Sequence, residues 1–345
     1  MNIVNNIDFL GSLLKSKLLK KNIPLTVIFN VTDRCNLQCR YCYAEYYRRN
    51  NRDLDLKEIF SIVDQLAEMG NKRISLCGGE PLIRDDIGRI IDYIKGKGII
   101  CTVNTNGSLV PKRIEELKSI DYLCISFDGD EEAHEINRGK DSFKKVMEAI
   151  DCATKNNIPI VTNTVLNKSN LHTIDFVLDT ARKYKFAAEF NLLTDYIYEN
   201  SLRGLQHKPT DEEYKEAIKK IIDYKKRRYP VLFSQKTYEH ALNWPTYEWE
   251  YVFDHEHPEL QSVQCSAGRF FGFIDTDGEV YPCPQLMRSR FANCLEMGLK
   301  RAFEKAGQHH CKACYMVDQT ELNLLFQLDL GIIFNYFKKA VRFFR

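Results

Sequence analysis

The chain has 345 residues, 44% hydrophobic and 28% charged, with 49 basic against 47 acidic side chains. That is enough apolar material for one large domain or two smaller ones, and too much, with too little net charge, for intrinsic disorder. A formal charge of +2 argues against a nucleic-acid partner held by bulk charge. At the start, Ile7, Leu10, Leu13 and Leu14 precede Lys15, Lys17, Lys20 and Lys21, the reverse of a secretory signal. Residues 1–24 read as an amphipathic helix. Residues 25–195 alternate nearly continuous apolar runs with amphipathic stretches. The predicted strands are Leu25–Val31, Arg73–Cys77, Ile99–Asn104, Tyr122–Phe127, Ile158–Val165 and Phe186–Leu193, whose patterning fits strands buried on both faces. Asp55 with Glu58 has capping-box spacing ahead of Ile59, Ile62, Val63 and Leu66, and Gly70 is a stop signal. Six β/α units in a row predict an α/β fold with a parallel sheet, a closed or partial barrel or an open doubly wound sheet. Residues 196–262 change character: Thr210 to Glu213 opens a helix to about Lys225, and Trp244, Tyr247, Trp249 and Tyr251 form an aromatic stretch. That stretch is either core or pocket lining. Residues 263–318 hold the later cysteines, and residues 319–345 form an apolar tail ending in Lys338, Lys339, Arg342 and Arg345. No run reaches the ~18 apolar residues of a membrane span, so a cytoplasmic, reducing location is expected.

Twelve cysteines are about 3.5% of the chain, below the ~8–10% of a disulfide scaffold. In a reducing compartment, clustered cysteines point to metal ligation or catalysis. Cys35, Cys39 and Cys42 follow the first predicted strand as C-x3-C-x2-C. Three thiolates this close can hold three irons of a [4Fe–4S] cube and leave the fourth iron open to substrate. The alternative is zinc with a fourth ligand from elsewhere.

Cys35-Asn-Leu-Gln-Cys39-Arg-Tyr41-Cys42 resembles the signature of the radical SAM superfamily. The resemblance implies a partial (β/α)6 barrel of TIM type. It also implies that S-adenosylmethionine (SAM) chelates the open iron and is cleaved reductively to a 5′-deoxyadenosyl radical, which abstracts a hydrogen atom from substrate. A low-potential electron donor such as a flavodoxin or ferredoxin is then required. Active sites of such barrels lie at the C-terminal ends of the strands, where Gly78-Gly79-Glu80-Pro81, Thr105-Asn106-Gly107 and Ser126-Phe127-Asp128-Gly129 fall. The resemblance assigns Gly78, Gly79 and Glu80 to the SAM amino group and places Tyr41 and Ser126 at the cofactor. It makes Arg138 a partner for the SAM carboxylate, a task suited to a planar fork. The plainer readings are turns for the glycines, backbone satisfaction for Ser126 and a salt bridge for Arg138.

Cys265 and Cys283 flank a predicted hairpin, Phe270–Ile274 and Glu279–Tyr281, turning at Asp277-Gly278. Cys311-x2-Cys314 adds a close pair. Four such thiolates fit a closed zinc site or an auxiliary [4Fe–4S] cluster. The order resembles the SPASM/twitch extension of radical SAM enzymes. With no cysteine after Cys314, the resemblance is to the shorter twitch form with one auxiliary cluster, whose job would be electron transfer. His309 and His310 beside Cys311 keep zinc open, and Cys294 is an alternative ligand. Cys77, Cys101, Cys124 and Cys152 read as small core hydrophobes.

The domains expected are therefore an N-terminal helix (1–24), a radical SAM core (25–195), a helical and aromatic linker (196–262), an auxiliary-cluster extension (263–318) and an amphipathic tail (319–345). The function expected is oxidation of an sp3 C–H, with small-molecule, lipid-linked or peptide substrates all open. The proton acceptor such an oxidation needs is not assignable from sequence. One rival is a peptide maturase forming a cross-link or thioether, weakened by the short segment before the first strand. Another is a zinc-binding scaffold without catalysis. Both termini carry apolar residues at helical spacing beside basic ones, Ile3, Ile7, Leu10, Leu14 and Leu18 at one end and Ile333, Phe337, Ala340, Val341 and Phe344 at the other. They either lie peripherally on the inner face of an anionic membrane or pack on the barrel and each other.

Overall fold

The computed structural model describes residues 3–49, 52–194, 205–253, 255–287 and 290–342, excluding the side chains of 3–6, 205 and 338–342. In chain order, helix α1 (Ile3–Leu18) leads into β1 (Thr26–Asn30), α2 (Leu56–Met69), β2 (Arg73–Cys77), α3 (Ile87–Gly96), β3 (Ile100–Thr105), the short α4 (Val110–Arg113), β4 (Tyr122–Ser126), α5 (Glu131–Arg138), α6 (Ser142–Lys155), β5 (Ile160–Leu166), α7 (Ile174–Tyr184) and β6 (Ala187–Leu192). There follow α8 (Asp211–Lys226), α9 (Gln235–Leu242) and β7 (Tyr251–Phe253). The last part holds β8 (Phe271–Ile274), β9 (Glu279–Tyr281), β10 (Ala292–Asn293), α10 (Cys294–Met297), α11 (Leu299–Ala306), β11 (Cys311–Cys314), α12 (Val317–Phe326) and α13 (Leu330–Arg342).

Strands β1 to β6 pair in sequence order, all parallel, in register from Thr26↔Arg73 at one edge to Leu166↔Leu192 at the other. β1 and β6 are not paired, so the barrel is partial. Each predicted strand is found within two residues of its expected ends, because a strand covered on both faces leaves an unbroken apolar signature. The helices start where the sequence indicates. Asp55 and Glu58 exchange both capping-box hydrogen bonds, as do Thr210 and Glu213, and Gly70 ends α2 at φ 88°. α2 buries Ile59, Ile62, Val63 and Leu66 against the sheet and α3 buries Ile87, Ile90, Ile91 and Ile94, each worth about 1.5–3 kcal/mol.

The extension is continuous with the barrel. β8 pairs in parallel with β1, Thr26↔Phe271 to Phe29↔Ile274, and β9 and β10 follow antiparallel, giving one nine-stranded sheet. The hairpin turns at Gly278, φ 85°, as its Asp-Gly predicts. β7 pairs antiparallel with β11, which fixes the Cys311–Cys314 segment. The aromatic stretch is core at Trp244 and Tyr247, whereas Trp249 is 38% exposed. Trp244 and Tyr247 are 2% and 0% exposed and meet Tyr315 edge-on, bracing the residue after Cys314.

At the other end of the strands, α1 and α13 close the barrel floor. Phe9, Leu13, Leu325, Phe326 and Ile332 share one apolar cluster, and the rings of Phe9 and Tyr336 flank the Arg73 guanidinium at the start of β2. The termini thus pack on the barrel and each other. The basic tail side chains from 338 onward and Phe344 lie outside the described residues. Among the described residues no helix is long and apolar enough to cross a membrane.

Candidate active site

The loop after β1 carries Cys35, Cys39 and Cys42, all half-buried. The three line one cavity of about 290 Å³ at the C-terminal ends of the strands, together with Tyr41, Gly78, Gly79, Asn104, Ser126 and Arg138. The loop is held close to the end of β2. Gly79 N donates to Thr32 O (2.8 Å) and Glu80 N to Arg34 O (2.9 Å). A Cβ on Gly78 would lie 2.4 Å from Thr32 O and one on Gly79 2.4 Å from Arg34 O, so only glycine permits this approach. Both glycines therefore face the cavity and also seat the cysteine loop. Burial pushes the Cys35 thiol up to about 12 and Cys39 to about 11, against the Arg138 charge at Cys39. Such thiols stay protonated until a metal displaces the proton.

Glu80 is fully buried. Its carboxylate accepts hydrogen bonds from Leu82 N (3.2 Å), Thr105 Oγ1 (2.7 Å) and Asn106 N (2.7 Å). Burial raises it to about 7, against those three hydrogen bonds. It ties the turn after β2 to the turn after β3, just behind the cavity wall. Arg138, at the end of α5, lines the cavity, yet its fork is engaged: Nε donates to Asp128 Oδ2 (2.7 Å), and Nη2 to Tyr41 OH (2.5 Å) and Asp128 Oδ1 (3.3 Å). Nη1 sits 3.8 Å from Cys39 Sγ. Tyr41 OH also donates to Asp128 Oδ2 (2.6 Å). Arg138 is thus a buried ion-pair partner of Asp128 and a cation beside a cluster cysteine. The expected free fork for a carboxylate is not seen. Asp128 is fixed in turn by its own N–H donating to His134 Nδ1 (3.1 Å).

The second group converges as its spacing suggests. Cys265, Cys283, Cys311 and Cys314 lie close enough to raise one another's thiols, and β11 and the hairpin hold them. Cys294 is buried among Asp277, Glu279 and Glu58, apart from the four. His309 is turned to backbone, with Nε2 at Ala267 O (2.9 Å) and Nδ1 accepting from Cys311 N (3.0 Å). Among the described residues no three His, Cys, Asp or Glu stand as the ligands of a single metal ion. The donor chemistry fits iron–sulfur clusters at both places: three thiols beside an open cavity, and four thiols of which two are buried and two half-buried.

The cavity also contains residues that the sequence does not announce. Gln285 follows Cys283, and Met316, Asp318 and Gln319 follow Cys314, and all four line the same space as Cys35, Cys39 and Cys42. Asp318 is half-buried at the start of α12, where Oδ1 accepts from Gln319 N (3.0 Å). Burial pushes its carboxyl up to about 6. The side-chain amide oxygens Gln319 Oε1 and Asn191 Oδ1 are buried without a hydrogen-bond partner, in residues of the cavity wall. Cys77 and Cys124, expected as plain core, are buried but belong to that wall, whereas Cys101 is core. A carboxylate four residues after a CxxC is the one signal that could have pointed to Asp318.

Strands, cavity and cysteine sets together fit an iron–sulfur enzyme, with the first cysteine group lining the cavity and neighbours of the second in its wall. Residues 29–181 match the model of the Radical SAM superfamily, so this part of the chain is a radical SAM domain, of the kind built around SAM and a [4Fe–4S] cluster. It is 30% identical over 164 residues to the Fe-coproporphyrin III synthase of Methanosarcina barkeri, across 46% of this chain and 41% of that protein. It is 25% identical over 278 residues to the AdoMet-dependent heme synthase of Nitratidesulfovibrio vulgaris, across 75% of this chain and 73% of the synthase. The chain spans less than half of the first relative's length. Its fold is shared with SuiB of Streptococcus suis bound to S-adenosylmethionine, at TM-score 0.66 and 18% identity, covering 85% of this chain and 69% of SuiB.

Proposed function

We propose that this enzyme oxidises a C–H bond of a substrate held between its two cysteine groups. The observation that carries the reading is the single cavity walled on one side by Cys35, Cys39 and Cys42 and on the other by Gln285, Met316, Asp318 and Gln319, the neighbours of Cys283 and Cys314. Cys35, Cys39 and Cys42 would hold a cluster that, with SAM, would supply hydrogen-atom abstraction, and Cys265, Cys283, Cys311 and Cys314 would hold an auxiliary cluster that would supply a one-electron acceptor. The chain provides the rest. Asp318 accepts the proton that leaves with that electron. The partnerless carbonyls of Gln319 and Asn191 accept hydrogen bonds from the substrate and orient it. Gly78, Gly79 and Ser126 receive SAM, Glu80 braces their turns from behind the cavity wall, and Arg138 with Tyr41 holds the loop of Cys39. A low-potential flavodoxin or ferredoxin is the electron donor, and the enzyme works in the cytoplasm.

Anaerobic purification tests this. The expected protein is brown, carries about eight irons per chain as two cubes, and releases 5′-deoxyadenosine when reduced with SAM. Changing Cys35, Cys39 and Cys42 to Ala is expected to halve the iron and abolish SAM cleavage. Colourless protein containing zinc would overturn the reading. The two curated relatives are named as synthases of Fe-coproporphyrin III and heme, which supports a small-molecule substrate. A peptide substrate is the second reading, supported by the fold shared with SuiB, which has been crystallised with the precursor peptide SuiA. A small precursor-peptide gene beside this one would favour it.

A further inference from the structure

Helix α1 is apolar on two opposite faces. Phe9 and Leu13 are 4% and 0% exposed against the barrel floor, while Ile7, Leu14 and Leu18 on the far side are 58%, 47% and 83% exposed. α13, packed beside it, does the same: Ile332 is buried, and Leu330 and Phe334 are 81% and 71% exposed. Among the described residues, six of the ten exposed large apolar side chains lie on α1, its last turn at Leu19, and α13, including every one above half exposure. Isolated exposed leucines need no explanation, but a shared patch on two adjacent helices does.

The chain segments that form this patch are basic in sequence. Residues 1–24 carry four lysines and one acid, and residues 330–345 carry four basic side chains and no acid, so the remainder of the chain is net negative. The one acid, Asp8, is paired with Lys72 at 2.8 Å. A groove alongside α1 has Lys15, Lys21, Lys72 and Lys300 in its walls against Glu68 and Glu304. An apolar face carried by basic segments suits an interface where acyl chains lie under anionic headgroups.

We infer that α1 and α13 form a monotopic docking face for an anionic lipid bilayer, with Ile7, Leu14, Leu18, Leu330 and Phe334 entering the acyl boundary. The geometry also fixes the enzyme's orientation. The docking helices sit at the N-terminal ends of the strands, where Asp8 meets Lys72 and Phe9 meets Arg73. The cavity opens at the opposite, C-terminal ends, lined by Cys77, Thr105 and Ser126. A docked enzyme turns its mouth to the aqueous side, so substrate and electron donor arrive from solution, not from the bilayer. The inference is independent of the reaction proposed above.

The test is cosedimentation of the full chain with vesicles, either of phosphatidylcholine alone or of a two-to-one mixture with phosphatidylglycerol, at low and high salt. Binding is expected to the anionic vesicles only, weakened by salt. It is expected to fall about tenfold or more in Leu14→Glu/Leu18→Glu/Phe334→Glu, with the melting temperature and SAM cleavage unchanged. If that variant folds poorly, Leu18→Glu alone, at the exposed helix end, provides the same comparison with a smaller loss. A chain that stays in the supernatant with all vesicles overturns the inference, as does equal binding by the variants. So does a wild-type dimer that becomes monomeric in the variant without either binding vesicles, which would make the patch a contact between two copies.

Discussion

Asp318 is the residue on which the proposed oxidation turns, and its chemistry comes from its surroundings. A carboxyl raised to about 6 by burial is still ionised at neutral pH and is a better base than a solvated one. Asp318→Asn keeps the shape and removes the base. The variant is expected to form 5′-deoxyadenosine while product formation falls about 10²–10⁴-fold. In the wild type, product formation should rise with pH through about 6, and in the variant that limb should vanish. A variant that turns over at the wild-type rate removes Asp318 from the mechanism. His134 governs stability in the same way. It is fully buried, and burial lowers it from 6.5 to about 4, against the nearby Asp128 and with help from Arg138. Between these values the unfolded chain takes up a proton that the folded chain refuses. The neutral ring's contribution is therefore complete above pH 6.5 and is lost as pH falls towards 4. His134→Gln is expected to lessen the pH slope of the unfolding free energy in that window by up to one proton, and an unchanged slope would count against a buried neutral imidazole.

At the scale of elements, a buried ionic knot joins the cysteine loop to the extension. Arg49, with 2% of its side chain exposed, reaches Asp275 at 2.5 Å and Asp33 at 3.3 Å. Asn30 at the end of β1 donates to Asp275 (3.0 Å) and to Tyr46 OH (2.7 Å), and Thr276 donates to Asp33 (3.0 Å). Asp275 belongs to the β8–β9 hairpin, so one side chain links the loop of the first cysteine group to the hairpin that leads into Cys283. Removing one partner of a buried pair costs about 3–5 kcal/mol because the other charge is left unpaired. Asp275→Ala is expected at the lower end of that range, since Asp33 remains. In an Arg49→Met background the same change should cost markedly less, and chemical denaturation of the four chains of this cycle measures the difference. Equal costs in both backgrounds would mean that the two side chains act independently. The hairpin itself was readable, because Asp277-Gly278 between apolar runs is a local signal. Its pairing with β1 was not, since Thr26 and Phe271 are brought together only by the closing of the whole chain.

On the scale of the molecule, the same division separates what the sequence revealed from what it withheld. The six parallel strands and both capping boxes rest on local periodicity, and both cysteine groups on spacing, so they were legible to within a residue or two. The pairing of Arg138 with Asp128 was not legible, because the contact is set by how α5 folds back on β4. Trp244 and Tyr247 were ambiguous for a like reason, since whether an aromatic lines a pocket or a core depends on what packs over it. Asp318 became meaningful only when α12 was seen to bring it to the cavity of Cys35, Cys39 and Cys42. That convergence separates the work of the two cysteine groups. In the proposed reaction, cleaving SAM would need only the first, whereas completing the oxidation would need both. Cys311→Ala removes a half-buried ligand of the second group and leaves the barrel core intact. Iron is then expected to fall from about eight per chain towards four, with 5′-deoxyadenosine still released and product lost, so that the ratio of the two rises well above its wild-type value. If product and 5′-deoxyadenosine instead stay in the wild-type ratio, the electron leaves by another route and the second group is structural.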